Sequence, residues 1–332
     1  MSRIQQGLAP EPVEPAAHGS TGAPVAGPAR RRWRPSLLAW LTSAAALAGL
    51  ALILYSPAAS WISTVNQSAI VSRYDDAVAH ADPDAAEQLR AAHRYNAALS
   101  SGVLLEPGSN VPTGNGTTSA PEYDYRKMLV TPNGIMARLQ IPKISVDLPV
   151  YHGTSDETLL QGAGHLQGTS LPVGGTDTHA VITAHRGLAE ATMFTRLDEI
   201  AVGDRFTVNV LGDVLSYRVV STRVVSPEDT ASLRQEPGRD LVTLITCTPL
   251  GINSHRILVT GERVLPTPKS ATVAARASAE VPFPWWIAGL ACGTGVIACY
   301  LWRTGRTRPR PAEAPAADED VESGAAVEYA NN

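Results

Sequence analysis

Two long apolar runs interrupt the mixed pattern of hydrophobic and polar residues along the chain. Ser36–Tyr55 is uncharged over twenty residues, and Val281–Trp302 is uncharged throughout. An α-helix of about twenty apolar residues crosses the ~30 Å hydrocarbon core of a bilayer. The pattern therefore predicts two transmembrane helices, at 36–55 and at 281–302.

Arginines flank these runs on their outward sides: Arg30, Arg31, Arg32 and Arg34 before the first, and Arg303, Arg306, Arg308 and Arg310 after the second. Because basic flanks stay in the cytoplasm, we expect both termini there and about residues 56–280 outside the cell. The tails, 1–35 and 303–332, are predicted to be disordered from their composition. For the first run the alternative is a signal peptide cleaved near Ala58 or Ala59, and for the second it is a buried core helix.

The segment between the spans begins with a helical pattern at 66–101. Apolar positions recur there at helical spacing: Leu89, Ala92, Tyr95 and Leu99. Asp82 and Pro83 suit the N-cap and first position of that helix, and a shorter helix at about 66–80 is expected before it. The Pro- and Gly-rich stretch 102–125 is predicted to be a loop.

Short β-rich runs separated by turn residues fill the next segment, 126–265. They are Met136–Ile141, Val146–Tyr151, Ala180–Ala184, Arg205–Leu211, Leu215–Arg223, Leu241–Cys247 and Arg256–Arg263. Runs at this spacing, with few helical stretches between them, are typical of a mainly β barrel or sandwich.

Composition and charge exclude several classes of protein. The net charge is -4, so binding of nucleic acid through bulk positive charge is not expected. Three cysteines without a CxxC pair exclude a disulfide-rich scaffold and thioredoxin-type motifs. No metal-binding motif such as HExxH is present, and we expect neither a metal nor another cofactor.

Cys247, at the end of a strand-like run, is a candidate nucleophile. It is followed by Thr248 and Pro249, where the strand must stop. A return strand that pairs with it would bring Arg256 beside the thiol, where a guanidinium could stabilise an oxyanion. Read on residue type alone, Cys247 could equally be a small buried hydrophobe and Arg256 a surface charge.

His185 closes the apolar run Ala180–His185 and is a candidate acid or base. A single histidine is more often a structural residue than a catalytic one. The competing histidines are His152, His165, His179 and His255. Spacing alone does not choose among these five.

The segment Thr243–Arg263, TLITCTPLGINSHRILVTGER, resembles the active-site segment of sortases, the membrane-anchored cysteine transpeptidases of Gram-positive bacteria. The similarity is to class C, the pilin-polymerising branch, and extends over about residues 69–263. Supporting segments are Ile141–Ile144, Tyr151–Ser155, Gly164–Pro172, Thr178–Leu188 and Met193–Asp198. The two-span arrangement is also similar to that of class C.

The resemblance implies an eight-stranded sortase β-barrel preceded by N-terminal helices. It makes Cys247 the nucleophile, His185 the acid/base and Arg256 the oxyanion- or substrate-binding arginine. The implied partners are the membrane and pilin or surface-protein substrates with LPXTG-like sorting signals. Cleavage would fall between Thr and Gly, and a lysine of the next pilin would resolve the thioester.

Two positions depart from the class C pattern. Leu250 stands where an aromatic residue usually follows Cys-Thr-Pro, and the loop 102–125 lacks the Asp-Pro-aromatic motif of a class C lid. We assign Thr246 and Leu250 to substrate binding and Glu106 to a weakly anchored lid. Two alternatives remain: anchoring of proteins to a cell-wall amine, and an inert surface barrel. A papain-like protease does not fit, because its cysteine would precede its histidine in the chain, whereas here His185 precedes Cys247.

Overall fold

The computed structural model describes residues 33–100, 124–188, 191–277 and 281–306. The chain divides into two compact units, Met1–Ala45 with Val296–Asn332, and Ala46–Gly295. In the described part of the first unit, Trp33 and Arg306 form an isolated β-bridge. The tails predicted to be disordered lie almost entirely outside the described residues.

Eight strands in the described residues form a closed barrel: β1 (Ala137–Ile141), β2 (Val146–His152), β3 (Ala163–His165), β4 (Thr178–Thr183), β5 (Arg205–Val210), β6 (Asp213–Val225), β7 (Asp240–Thr248) and β8 (His255–Arg263). Their order around the barrel is β1-β2-β3-β4-β7-β8-β6-β5. The pairs β2–β3 and β4–β7 are parallel, and the others are antiparallel. The predicted barrel is confirmed, and each of the seven predicted runs overlaps a strand. The short β3 had no separate signal in the sequence.

The barrel is filled by alternate side chains of its strands, as the period of two requires. On β5, Phe206, Val208 and Val210 point into the main core. The opposite face of β4 and β8 is apolar as well, because Val181 and Leu258 form a second cluster there. Burial on both faces explains why the runs at 180–184 and 241–247 are almost continuously hydrophobic.

The helices are α1 (Leu37–Ser72), α2 (Tyr74–Ala79), α3 (Ala85–Ser100), α4 (Asp156–Gln161), α5 (Lys269–Arg276) and α6 (Trp285–Gly305). Of the described helices, the one beginning at Leu37 and the one at Trp285–Gly305 are long and apolar enough to cross a membrane. The helix predicted to start near residue 66 is wrong, because α1 continues without a break to Ser72. Only α2 remains as a short separate helix.

Helix α3 packs against the barrel through the predicted apolar stripe. Ala92, Tyr95 and Leu99 are all at least 96% buried. The predicted start of this helix is wrong by two residues. Asp84 Oδ1 accepts a hydrogen bond from the Glu87 backbone N–H at 2.7 Å, so Asp84 caps the helix instead of Asp82.

Two further contacts attach the flanking elements to the barrel. The hydroxyl of Tyr74, which is 1% exposed, accepts a hydrogen bond from the Leu211 backbone N–H at 2.8 Å. At the C-terminal side, the buried Arg138 donates to the carbonyl oxygens of Ala275 and Ala277, at the end of α5. The helix α5 was not predicted from the sequence.

Candidate active site

Cys247 and Arg256 lie directly opposite each other in the antiparallel ladder of β7 and β8. Pro249 ends β7, since proline has no N–H to donate, and a short loop leads back to His255. The expected pairing of the two strands is therefore present. It places the thiol and the guanidinium on neighbouring strands at the same level.

His185 joins this pair from the other side of β7. Strand β4 runs parallel to β7, with Thr183 opposite Ile245, and the Ala184 N–H continues the ladder to the Ile245 carbonyl at 3.2 Å. Beyond the last ladder pair the two segments stay side by side, because Thr246 donates to the Ala184 carbonyl and Arg186 donates to Thr248, which leaves His185 level with Cys247. His185, Cys247 and Arg256 thus form one row across three neighbouring chain segments, which we call the Cys–His–Arg row.

The row lies on the outer face of the barrel. Along β7, Val242 and Leu244 point into the main core, whereas Ile245 packs against the smaller outer cluster. Cys247 follows Ile245 by two residues on the same strand, so its side chain lies on the same outer face. All three members of the row are half-buried, and Cys247 is a free thiol. Partial exposure suits residues that must meet a substrate.

The Arg256 guanidinium is only partly committed to protein partners. Its Nη1 donates to the carbonyl oxygens of Asn253 and His255, both at 2.9 Å. Among the described residues its Nε and Nη2 groups have no hydrogen-bond partner. A guanidinium has five N–H donors, so three remain to bind an oxygen atom of a ligand.

Two of the competing histidines are buried and satisfied by the fold. His165 is fully buried, its Nε2 donates to the Ser170 carbonyl at 2.8 Å, and burial lowers the pKa of its imidazole to about 4. His179 donates through Nδ1 to the Arg234 carbonyl at 2.8 Å, and burial lowers its pKa as well. Both imidazoles are therefore neutral structural groups near pH 7.

The other two histidines are also separate from the row. His152 Nε2 donates to the Met128 carbonyl at 2.7 Å, and burial lowers its pKa. His255 is exposed, lies opposite Thr248 and contacts Ser254 through Nδ1 at 2.9 Å. Of the five candidates left open by the sequence, His185 is the one level with Cys247.

The family comparisons agree with this fold. A family model of the sortase domain matches residues 139–264. Sortase D from Bacillus subtilis (strain 168) is 30% identical over 155 residues, which cover 45% of this chain and 75% of that protein.

This chain belongs to the sortase family. Sortases are cysteine transpeptidases, and solved structures of class C members resemble this one. Sortase C1 from Streptococcus agalactiae is 38% identical with a TM-score of 0.53, over 59% of this chain and 97% of that one. Sortase C from Streptococcus pneumoniae, whose structure was described for its catalysis and pilin substrate specificity, is 38% identical with a TM-score of 0.50, over 59% and 96%.

The other three predicted site residues, Thr246, Leu250 and Glu106, differ in their burial and contacts. Thr246 is 1% exposed on the inner face, and its hydroxyl donates to the Ala184 carbonyl at 2.8 Å. That position makes it a support for the strand end before His185 and keeps it away from a bound substrate. Leu250 is 51% exposed and lies against Gly187, just after His185. Glu106 and nearly all of the predicted lid loop lie outside the described residues.

One residue near the row with several hydrogen-bond partners was not singled out from the sequence of this sortase. Arg186 follows His185 directly, and its side chain is 9% exposed. Its guanidinium donates to Thr195, Asp198 and Thr248. Its place directly after a candidate histidine was the one signal in the sequence. That signal was insufficient, because the residues that bind Arg186 come from other segments of the chain.

Proposed function

We propose that this sortase cleaves an LPXTG-like sorting signal between Thr and Gly through a thioester on Cys247. The observation that carries the proposal is the Cys–His–Arg row, which puts a free thiol between an imidazole and a guanidinium. The family supplies the reaction class, acyl transfer by a cysteine. The assignment of the three roles to these residues is our proposal.

The reaction proceeds in two acyl transfers. The Cys247 thiolate attacks the Thr carbonyl carbon, the C–N bond to Gly breaks, and His185 donates a proton to the leaving amine. An incoming amine then attacks the thioester carbonyl, the C–S bond breaks, and His185 takes the proton of the amine. The products are a new amide bond and the regenerated thiolate.

Arg256 binds the oxyanion of each tetrahedral intermediate through its uncommitted N–H groups. Loss of one such donor typically raises the activation free energy of the chemical step by about 3–4 kcal/mol. The outer apolar face of β7, where Ile245 lies two residues before Cys247, supports binding of the apolar part of the sorting signal beside the row.

Transfer to a lysine of the next pilin, which polymerises pili, is the acceptor step that we favour. Its support is the likeness to class C structures, among them the Streptococcus pneumoniae enzyme described for pilin substrate specificity. Transfer to a cell-wall precursor amine, which anchors single proteins, uses the same first step. The test below separates the two acceptors.

We also propose the membrane arrangement and the segment order along the chain. A cytoplasmic tail (1–35) leads into a span at 36–55. The extracellular part holds the helical segment 66–101, made of the end of α1 followed by α2 and α3, then the lid-like loop at 102–125 and the catalytic barrel at 126–265. A second span at 281–302 leads to a cytoplasmic tail. The two long apolar helices support this arrangement.

The test is incubation of the detergent-solubilised full chain with an LPXTG-type peptide, followed by mass spectrometry of the intact protein. We expect an acyl adduct on Cys247 that is absent in Cys247→Ala and present in the matched control Cys292→Ala. Release of the adduct by a pilin lysine supports polymerisation. Release only by a cell-wall amine moves the function to anchoring, and an adduct in Cys247→Ala overturns the assignment of the nucleophile.

A further inference from the structure

Arg186 connects three segments around the Cys–His–Arg row. Its Nε donates to the Thr195 carbonyl at 3.1 Å, its Nη1 to Thr248 Oγ1 at 2.7 Å, and its Nη2 to Asp198 Oδ2 at 2.7 Å. All three nitrogen atoms of one guanidinium are thus occupied. The side chain is 9% exposed, whereas that of Asp198 is 52% exposed.

The bond to Thr248 crosses the same gap that separates His185 from Cys247. The last pair of the β4–β7 ladder is Thr183 with Ile245, and the last backbone tie is the Ala184 N–H to the Ile245 carbonyl. In the described part of the chain, no further ladder pair joins the ends of β4 and β7. The Arg186–Thr248 bond lies one residue past His185 and one residue past Cys247.

The row is therefore bracketed by hydrogen bonds on both sides. Before it, the Thr246 hydroxyl donates to the Ala184 carbonyl at 2.8 Å. After it, Arg186 donates to Thr248 at 2.7 Å. The segment that carries Thr195 and Asp198 also holds the backbone of His185, since the Phe194 N–H donates to the His185 carbonyl at 3.0 Å.

We propose that Arg186 is a positioning residue that holds His185 at its working distance from Cys247. Its guanidinium does this through three of its five N–H groups, which are bound to Thr195, Thr248 and Asp198, in a side chain that is 9% exposed. A lysine has a single ammonium group and cannot reach three separated acceptors in fixed directions. This inference rests on the proposed function, since it assigns His185 and Cys247 to the reaction.

The test measures kcat and KM for cleavage of an LPXTG-type peptide by the detergent-solubilised full chain, over a range of pH. We expect Arg186→Gln and Arg186→Lys to lower kcat roughly 10- to 100-fold, because small misplacements of reacting groups have effects of that size. KM should change much less, and the pH of fastest cleavage should shift. The matched control is Arg196→Gln, which removes an exposed arginine that pairs with Glu199 on the same segment.

A second pair of variants keeps the test decisive if Arg186 variants fold poorly. Thr248→Val removes the acceptor of the bracketing bond and should lower kcat, whereas Thr248→Ser keeps the hydroxyl and should retain most of the activity. A normal kcat and pH profile in Arg186→Gln and Thr248→Val, with only a lower melting temperature, would overturn the proposal. If Cys247→Ala and His185→Ala also remained active, the proposed function itself would fail. The Cys247 and His185 variants therefore distinguish a failure of the proposed reaction from a failure of the role given to Arg186.

Discussion

Arg256 faces Cys247 as its direct cross-strand partner, so the β7–β8 backbone sets the separation of their Cα atoms. Neighbouring strands lie about 4.8 Å apart, and this distance does not depend on side-chain packing. The backbone positions of the pair are therefore fixed by the ladder, and the Arg256 guanidinium is held by the Asn253 and His255 carbonyls. His185, which lies beyond the end of β4, depends on additional hydrogen bonds for its position.

Replacement of Arg256 should affect the chemical step more than binding. We expect Arg256→Ala to lower kcat about 10²- to 10³-fold, as loss of an oxyanion donor does, and Arg256→Lys to recover only part of it. Steady-state cleavage of an LPXTG-type peptide checks this. Arg223→Ala, which removes an exposed arginine on β6, is the control. Equal losses in both variants would contradict a specific role for Arg256.

The buried His165 should make the barrel less stable in acid. Burial lowers the pKa of its imidazole to about 4 in the folded state, against about 6.5 in the unfolded chain. Between these values only the unfolded chain binds the proton, so stability is lost as the pH falls from about 6.5 to about 4. This group lowers the free energy of unfolding by about 3 kcal/mol over that range. Below about pH 4 both states bind the proton, and its contribution no longer changes with pH.

Pulse proteolysis in urea of the detergent-solubilised protein, at pH 7.5 and pH 4.5, measures this dependence. His165→Gln should start from lower stability but lose less of it on acidification. His255→Gln, which changes an exposed histidine, should keep the slope of the unaltered protein. An unchanged slope in His165→Gln would show that other groups cause the acid sensitivity.

Arg138 should be a main determinant of stability at the C-terminal side of the barrel. It is 3% exposed and forms an ion pair with Asp147 at 2.6 Å. Arg138→Gln should lower the free energy of unfolding by about 3–5 kcal/mol, because it leaves the Asp147 carboxylate without its charged partner. It should also increase hydrogen exchange in α5, whose last carbonyls Arg138 binds. Lys143→Gln, in the exposed pair with Asp204, should cost at most about 1 kcal/mol.

Gly187 should tolerate a side chain poorly. Its φ is +75°, and an added Cβ would lie 2.3 Å from Leu250 Cδ2. Gly134 has the same φ with open space around it, so Gly134→Ala measures the backbone strain alone, about 1–2 kcal/mol. We expect Gly187→Ala to cost at least as much and, by displacing Leu250 beside His185, to raise KM in peptide cleavage. An unchanged KM in Gly187→Ala would contradict a role of Leu250 in substrate binding.

The membrane arrangement can be tested by cysteine labelling of intact cells in a Cys247→Ala background. A membrane-impermeant thiol reagent should label Asp156→Cys, which is exposed on α4, but not Ser20→Cys in the N-terminal tail. The reason is that the two positions are predicted on opposite sides of the membrane. Labelling of both would contradict the predicted topology, and loss of the segment that contains Ser20 would indicate a cleaved signal peptide.

The local pattern was sufficient for most of the fold. Alternation of apolar residues identified seven of the eight strands, and the helical repeat identified the buried face of α3 through Ala92, Tyr95 and Leu99. The short β3 escaped because three residues are too few to show alternation. The cap at Asp84 was misassigned because Asp82, followed by Pro83, carries an equally good local signal.

By itself, the sequence determined those features that depend on near neighbours: two long apolar helices, the strands, and the closeness of Cys247 and Arg256 in one β-hairpin. Local spacing left five histidines open, and the resemblance to sortases pointed to His185. The physical reason lies in the tertiary structure alone, since Thr183 and Ile245 are 62 residues apart and their parallel pairing leaves no local pattern. The same holds for Arg186 and Thr248, whose hydrogen bond forms only when β4 and β7 end side by side. Long-range pairing of strands therefore selects His185, whereas local periodicity builds the strands that carry it.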